Sequence, residues 1–206
     1  WIKPSNITDS SGGAIFTRHD SGSNTFVFRL DQNDDLQVEN YTSGAYQLHL
    51  VTDAKFRDIS AWYHVVLSLD TTQGTAANRA KLYVNGVQQT SLSASTYPSE
   101  NADLKVNAAA VHRIGARSSD NYFDGYMAEV NFVDGTQLAP TSFGETKNGV
   151  WIPIDTSGLT FGTNGFRLDF ADNAVDAPTS EGTEDTDNIG SDSSGEHNNW
   201  TSSGIV

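Results

Sequence analysis

Between Trp62 and Gly86 the chain carries two runs that suit a pleated sheet and little else. Trp62-Tyr63-His64-Val65-Val66-Leu67-Ser68-Leu69 is dense in aromatic and β-branched residues, which predicts a strand with little exposed face. On that reading Trp62 belongs to the core. Thr71 to Arg79 is small and polar, holds Gly74 and predicts a connecting loop. Lys81 to Val84 alternates polar and apolar, and Asn85-Gly86 follows. That dipeptide best tolerates the two successive positive φ angles of a type I′ hairpin turn. Val87 to Thr90 supplies the return strand. A strand, a loop and a hairpin in this order predict antiparallel β architecture.

The flanking segments repeat the pattern. Trp1-Ile2-Lys3 reads as the end of a strand already under way, and Pro4 to Gly13 as a loop. Ala14 to Arg18 predicts a short strand, and Asp20 to Asn24 a turn. In Thr25 to Leu30, Phe26, Phe28 and Leu30 share one face, and Thr25, Val27 and Arg29 the other. Asp31 to Asp35 is a polar turn, and Leu36-Gln37-Val38-Glu39 and Tyr46-Gln47-Leu48-His49-Leu50 alternate again. Ser91 to Ala110, dominated by Ser, Ala and Asn, predicts a long loop of the kind that binds something or packs as a rim. Val111 to Gly115 is a short strand, and Ser118 to Asn121 turns into a strand over Tyr122 to Val133. There Tyr126, Ala128, Val130 and Phe132 are expected to face the core, with Met127, Glu129, Asn131 and Val133 opposite. Pro140 to Gly144 suits one helical turn, and Trp151 to Ile154 and Phe166 to Phe170 read as closing segments. From Ala171 to Asn199 apolar residues almost vanish. Such a segment cannot order itself alone; it reads as a flexible tail, or as a strap pinned by Ile189 and Trp200.

Composition narrows the class further. A chain of 206 residues buries roughly 70% of its unfolded surface and needs no covalent staples. It has no Cys, which removes disulfides, thiolate metal sites and cysteine nucleophiles. A formal net charge of -14 repels phosphate backbones and anionic membranes, so neither nucleic acid nor membrane insertion is expected. No apolar run approaches the ~20 residues of a membrane span. The chain does not begin with Met, and it reads as an internal piece of a longer polypeptide or a processed product.

Three sets of residues carry a family resemblance. Trp62-Tyr63-His64-Val65-Val66 followed by Leu82-Tyr83-Val84-Asn85-Gly86 resembles the laminin-G-like and pentraxin-like branch of the concanavalin A-like lectin/glucanase fold. Phe123-Asp124-Gly125-Tyr126-Met127-Ala128-Glu129-Val130 is similar to a late strand of that group. Trp1-Ile2-Lys3, Asp134 to Pro140, Phe143-Gly144-Glu145, Gly149 to Pro153, Gly165 to Phe170 and Asp192 to Thr201 resemble a run in marine bacteriophage virion and tail-fibre proteins.

The resemblance frames the candidate chemistry. Glucanases of this fold carry Glu-x-Asp-x-x-Glu, whose carboxylates sit ~5–5.5 Å apart as nucleophile and acid/base. Here the positions are Glu129, Asn131 and Asp134. Asn131 cannot ionise, Asp134 is a methylene short, and Asp134-Gly135 reads as a turn, so an exposed polar strand face is expected rather than a hydrolase. His19, His49, His64, His112 and His197 show no zinc-like spacing, and His64 reads as a hydrogen-bonded structural histidine. No Gly-x-Ser-x-Gly elbow or phosphate-cradling glycine loop is present. The resemblance also implies Ca2+ on the rim. Oxygen ligands are available at Asp120-Asn121, Asp124 and Glu184-Asp185-Thr186-Asp187-Asn188, but they form no complete pattern. Ca2+ is therefore a candidate cofactor without assigned ligands. A carbohydrate site needs an aromatic platform with polar groups beside it. Arg117-Ser118-Ser119-Asp120-Asn121-Tyr122 and the loop around Tyr97 offer that mixture, and the candidate binding residues are Tyr97, Arg117, Asp120, Asn121 and Tyr122. Trp151 and Trp200 are assigned to packing.

The expected fold is an all-β antiparallel sandwich, a jelly roll of concanavalin A-like or laminin-G-like type. Residues 1–170 form the sandwich domain, and 171–206 an acidic C-terminal strap or linker. The resemblance implies a non-enzymatic virion or tail-fibre module that binds host-surface glycans, on a virion that is extracellular when mature. Other virion proteins and further copies of the chain are its other expected partners. A purely structural capsid-decoration or fibre-spacer domain and a degenerate polysaccharide hydrolase are the alternatives.

Overall fold

The Asn85-Gly86 hairpin forms as its dihedral requirements dictate: φ is 49° at Asn85 and 79° at Gly86, and Val84 pairs with Val87 across the turn. Asn85 also locks the preceding strand. Its backbone N–H donates to the His64 carbonyl, and its Oδ1 accepts from the His64 N–H, both at 2.8 Å. The computed structural model of the chain describes residues 1–6, 12–21, 24–118, 121–171 and 189–202. It divides into two units, residues 2–126 and residues 127–206 with Trp1.

In the first unit the strands are β1 (Ile2–Pro4), β2 (Gly13–Ser21), β3 (Asn24–Leu30), β4 (Asp35–Thr42), β5 (Ala45–Lys55), β6 (Val65–Leu69), β7 (Ala80–Val84), β8 (Val87–Gln88), β9 (Leu92–Thr96), β10 (His112–Ile114) and β11 (Gly125–Met127), the last ending at the unit boundary. They build a six-stranded antiparallel sheet in the order β10-β2-β3-β4-β5-β9 and a three-stranded sheet β6-β7-β8. Phe26, Phe28 and Leu30 pair with Asn40, Val38 and Leu36, and Asn40 and Val38 pair in turn with Leu48 and Leu50. All are buried, as are Ala80, Leu82 and Val84 along one face of β7. This is the apolar interior of an all-β, concanavalin A-like sandwich. Asn40, an amide on that face, is satisfied: Lys105 N–H donates to its Oδ1 at 2.7 Å, and its Nδ2 donates to Gln47 Oε1 at 3.0 Å.

His64 is 4% exposed, and burial pushes its pKa from 6.5 down to about 4. The unfolded chain therefore binds the extra proton across that interval. Stability is retained above pH 6.5 and falls as pH drops toward 4, by on the order of 3 kcal/mol from this group. Urea unfolding of the wild type and His64→Phe at pH 7 and below pH 5 checks this. The variant is expected to lose about 2–3 kcal/mol less between the two conditions; an equal loss refutes the assignment.

Several expectations are corrected. The strand expected from Trp62 begins at Val65, and Tyr63 makes only an isolated bridge to Ile2. Tyr63 is anchored by its ring, 5.4 Å from Phe56, and by its hydroxyl, which accepts from Asp58 N–H at 3.0 Å. Its neighbour Trp62 consequently points away and is 41% exposed, not core. The return strand is only Val87–Gln88. The loop over Thr71 to Arg79 contains one helical turn, Ala76–Arg79. Arg79 stitches it down by donating to the carbonyls of Gln73, Gly74 and Pro98. The long loop from Ser91 contains β9, which pairs with β5. The strand over Tyr122 to Val133 is broken, because Glu129 adopts φ 49°; Tyr126 is 62% exposed rather than buried.

In the second unit β12 (Val130–Phe132) pairs with β15 (Phe166–Leu168), and β13 (Gly144–Lys147) with β14 (Val150–Pro153). Asn148-Gly149, at φ 52° and 79°, makes a second Asn-Gly hairpin that the sequence reading passed over. Phe161, Phe166 and Leu168 are buried, and Phe166 stacks on Phe132 at 5.5 Å. Trp200 lies 4.9 Å from Phe166, and its N–H donates to the Gly190 carbonyl. Asp192 accepts from the N–H groups of Arg167 and Asn198. The stretch 172–188 lies outside the described residues.

Candidate functional site

The face of the six-stranded sheet opposite the apolar core carries the chemistry. Register sets one row across five pairings: Arg113 with Thr17, Thr17 with Val27, Val27 with Glu39, Glu39 with His49, and His49 with Thr96. A second row joins Ala14, Arg29, Gln37, Val51 and Ala94. Period two puts the polar members of three consecutive strands side by side here. Gln37 couples them. Its Oε1 accepts from Arg29 Nε at 3.3 Å and Nη2 at 3.1 Å. Its Nε2 donates to Glu39 Oε2 at 3.1 Å and lies 3.0 Å from His49 Nε2, which acts as the acceptor. Arg29 also pairs with Asp31 at 3.3 Å.

An irregularity in the β4–β5 register beside Tyr41 brings Tyr46 onto this same face. Its ring stacks on His49 at 4.3 Å and 12°, and meets Tyr41 edge-on at 5.1 Å. Tyr46 is 46% exposed, whereas Glu39 is 6% exposed. Burial and the Glu39 charge raise the Tyr46 hydroxyl pKa, against the guanidinium charges of Arg29 and Arg117. Glu39 Oε1 has no bonding partner among the described residues. A nearly buried carboxylate with an open acceptor, beside an exposed ring clamped by a histidine, is the equipment for holding a polyhydroxylated ring.

The segment after β10 lies against one end of this face. Thr17 Oγ1 donates to the Ala116 carbonyl at 2.8 Å and lies 3.5 Å from that of Arg117. Arg117, singled out from sequence, is thus brought to the site. Asn121, at φ 52°, instead holds its segment to β2, its carbonyl accepting from Ala14 N–H. Tyr122 is 60% exposed and lines a separate shallow groove with Pro4, Leu30, Asp34, Phe56 and Asp124. Tyr97 is half-buried and follows the edge strand β9, whereas Tyr122 lies with Leu30, at the end of β3, and Phe56, just past β5. Asp120 and residues 184–188 lie outside the described residues. Among the described residues no three His, Cys, Asp or Glu side chains form a metal-holding group.

Glu129, Asn131 and Asp134 do not form an exposed polar face. Arg167 clamps Glu129 through two bonds, Nε to Oε2 at 3.2 Å and Nη2 to Oε1 at 3.1 Å. Thr156 Oγ1 donates to Asn131 Oδ1, and Asn164 donates twice to Asp134 Oδ2. Each side chain closes a loop of the second unit.

What the sequence reading missed is Arg29, Gln37, Glu39, His49 and Tyr46. The signal was present in the outward positions of three alternating strands joined by short turns, which register aligns into one polar patch.

This antiparallel fold with a polar, aromatic sheet face is that of a lectin/glucanase-like protein. A laminin-G family model of the concanavalin A-like lectin/glucanases superfamily matches residues 1–142. The chain belongs to that superfamily. Neither curated proteins nor solved structures gave a match.

Proposed function

We propose that this protein binds carbohydrate on the outward face of its six-stranded sheet, without cleaving it, as an attachment module of a virion. The Tyr46–His49 stack beside the open Glu39 oxygen carries the reading. The sugar's apolar face lies on Tyr46, while its hydroxyls donate to Glu39 and accept from Arg29 and Arg117. Hydrolysis needs two carboxylates across the scissile bond. Glu39 is the one carboxylate in the row, and Glu129 is held by Arg167. The virion setting rests on the resemblance of the six segments from Trp1 to Thr201 to tail-fibre proteins. Many copies on one particle turn weak single-site binding into firm adhesion.

A glycan array probed with the wild type, Tyr46→Ala, Tyr97→Ala and Tyr122→Ala tests this. Reproducible hits are expected, lost by tenfold or more in Tyr46→Ala and kept in the other two variants. Hits lost only in Tyr97→Ala or Tyr122→Ala move the site to the rim loops. Reducing-sugar release from a bound polysaccharide overturns the non-enzymatic part.

A further inference from the structure

We infer that Asn148 is a self-modification site, where the chain converts its own asparagine to aspartate and isoaspartate with water as the co-reactant. The Gly149 backbone nitrogen attacks Asn148 Cγ. An N–C bond forms, the Cγ–Nδ2 bond breaks, and ammonia leaves carrying the Gly149 proton. Water then opens the cyclic imide at either carbonyl. One opening gives aspartate; the other gives isoaspartate, in which the main chain runs through the former side chain. An Asn-Gly pair favours the reaction because glycine has no Cβ to shield its nitrogen. The chain contains three such pairs, Asn85-Gly86, Asn148-Gly149 and Asn164-Gly165, and the fold separates them.

Two of the pairs are restrained. Asn85 is held by the His64 backbone, which takes both its Oδ1 and its N–H. Its turn extends β7, whose Ala80, Leu82 and Val84 are buried. Asn164 is held by Asp134, whose Oδ2 accepts from its backbone N–H and its Nδ2. The Gly165 N–H is committed to the Gly162 carbonyl at 2.8 Å, and Gly165 is buried. Asn148 has neither restraint. Asn148 and Gly149 are both exposed, and nothing lies within 4 Å of a methyl group built on Gly149. Among the described residues no hydrogen bond holds the Asn148 side chain or the Gly149 N–H.

The left-handed turn, at φ 52° and 79°, does not itself aim the Gly149 nitrogen at Cγ, so the turn must open first. Opening here is local. β13 and β14 form a two-stranded sheet, and Glu145, Thr146 and Lys147 are exposed. A two-stranded ribbon is marginally stable, and such segments open at a small fraction of the global unfolding free energy. Isoaspartate then lengthens a two-residue turn by one backbone atom, which disturbs the pairing of Lys147 with Val150.

The test is incubation of the full chain at mildly alkaline pH, folded and in urea. Mass spectrometry of the three Asn-Gly peptides and labelling by an isoaspartyl methyltransferase read the products. In the folded chain conversion at Asn148 is expected to run at least about tenfold faster than at Asn85 or Asn164, a gap that closes in urea. Asn148→Gln should abolish the folded-state label, since the longer side chain closes its ring far more slowly. Equal folded-state rates at the three pairs, faster conversion at Asn85 or Asn164, or an Asn148 that stays intact in the folded chain while urea converts it overturns the inference.

Discussion

Replacing Phe26 with alanine lowers the unfolding free energy by about 3–5 kcal/mol. Phe26 is 0% exposed and sits on a central strand, with Asn40 across from it and the Phe16 ring edge-on at 6.4 Å. Truncation removes the transfer term of a whole ring, and the cavity cannot collapse because neighbouring strands hold the backbone in register. Total stabilities of about 5–15 kcal/mol make this loss a large share. Denaturant unfolding measures it, with Phe26→Leu as the volume-retaining comparison at under half the cost. A Phe26→Ala loss below about 1 kcal/mol is incompatible with the sandwich interior described above.

Gly165→Ala has an effect of similar size, by a different route. A methyl group at this position meets the Phe161 carbonyl oxygen at 2.1 Å and its carbon at 2.5 Å. Both are backbone atoms of the turn that Gly165 closes by donating its N–H to the Gly162 carbonyl, so no side chain can swing aside. The turn delivers Phe166 into its stack with Phe132. A loss of more than about 3 kcal/mol is expected, confined to residues from β12 onward. Hydrogen exchange should show lost protection in the β12–β15 pair. Gly158→Ala, in the same unit with nothing within 4 Å of the added methyl, should be nearly neutral. Equal stability of the two variants refutes the argument.

The fold was largely legible because its signals are local. Phe26, Phe28 and Leu30 declared a buried face by spacing alone, and Asn85-Gly86 declared its turn by the dihedrals it tolerates. Errors arose where one element covers or interrupts another. Trp62 looked like core by its chemistry, but Tyr63 takes the inward position. Tyr126 sat in an apparently regular alternation that the left-handed backbone at Glu129 ends. The candidate site residues were spread by the fold. Arg117 lies beside Thr17 on the polar sheet face, while Tyr97 follows β9 and Tyr122 lines a groove with Leu30 and Phe56.

By itself the sequence determined the antiparallel class, the apolar side of the central strands and the Asn85-Gly86 turn. Each depends on residues a few positions apart, through side-chain alternation and backbone preference. Only the tertiary structure decided that Arg113, Glu39, His49 and Tyr46 share one surface. That depends on the register of strands remote in sequence and on the irregularity beside Tyr41 that brings Tyr46 onto the face of His49. A row of side chains across a sheet is a property of hydrogen-bond pairing between strands, which no single strand's composition records.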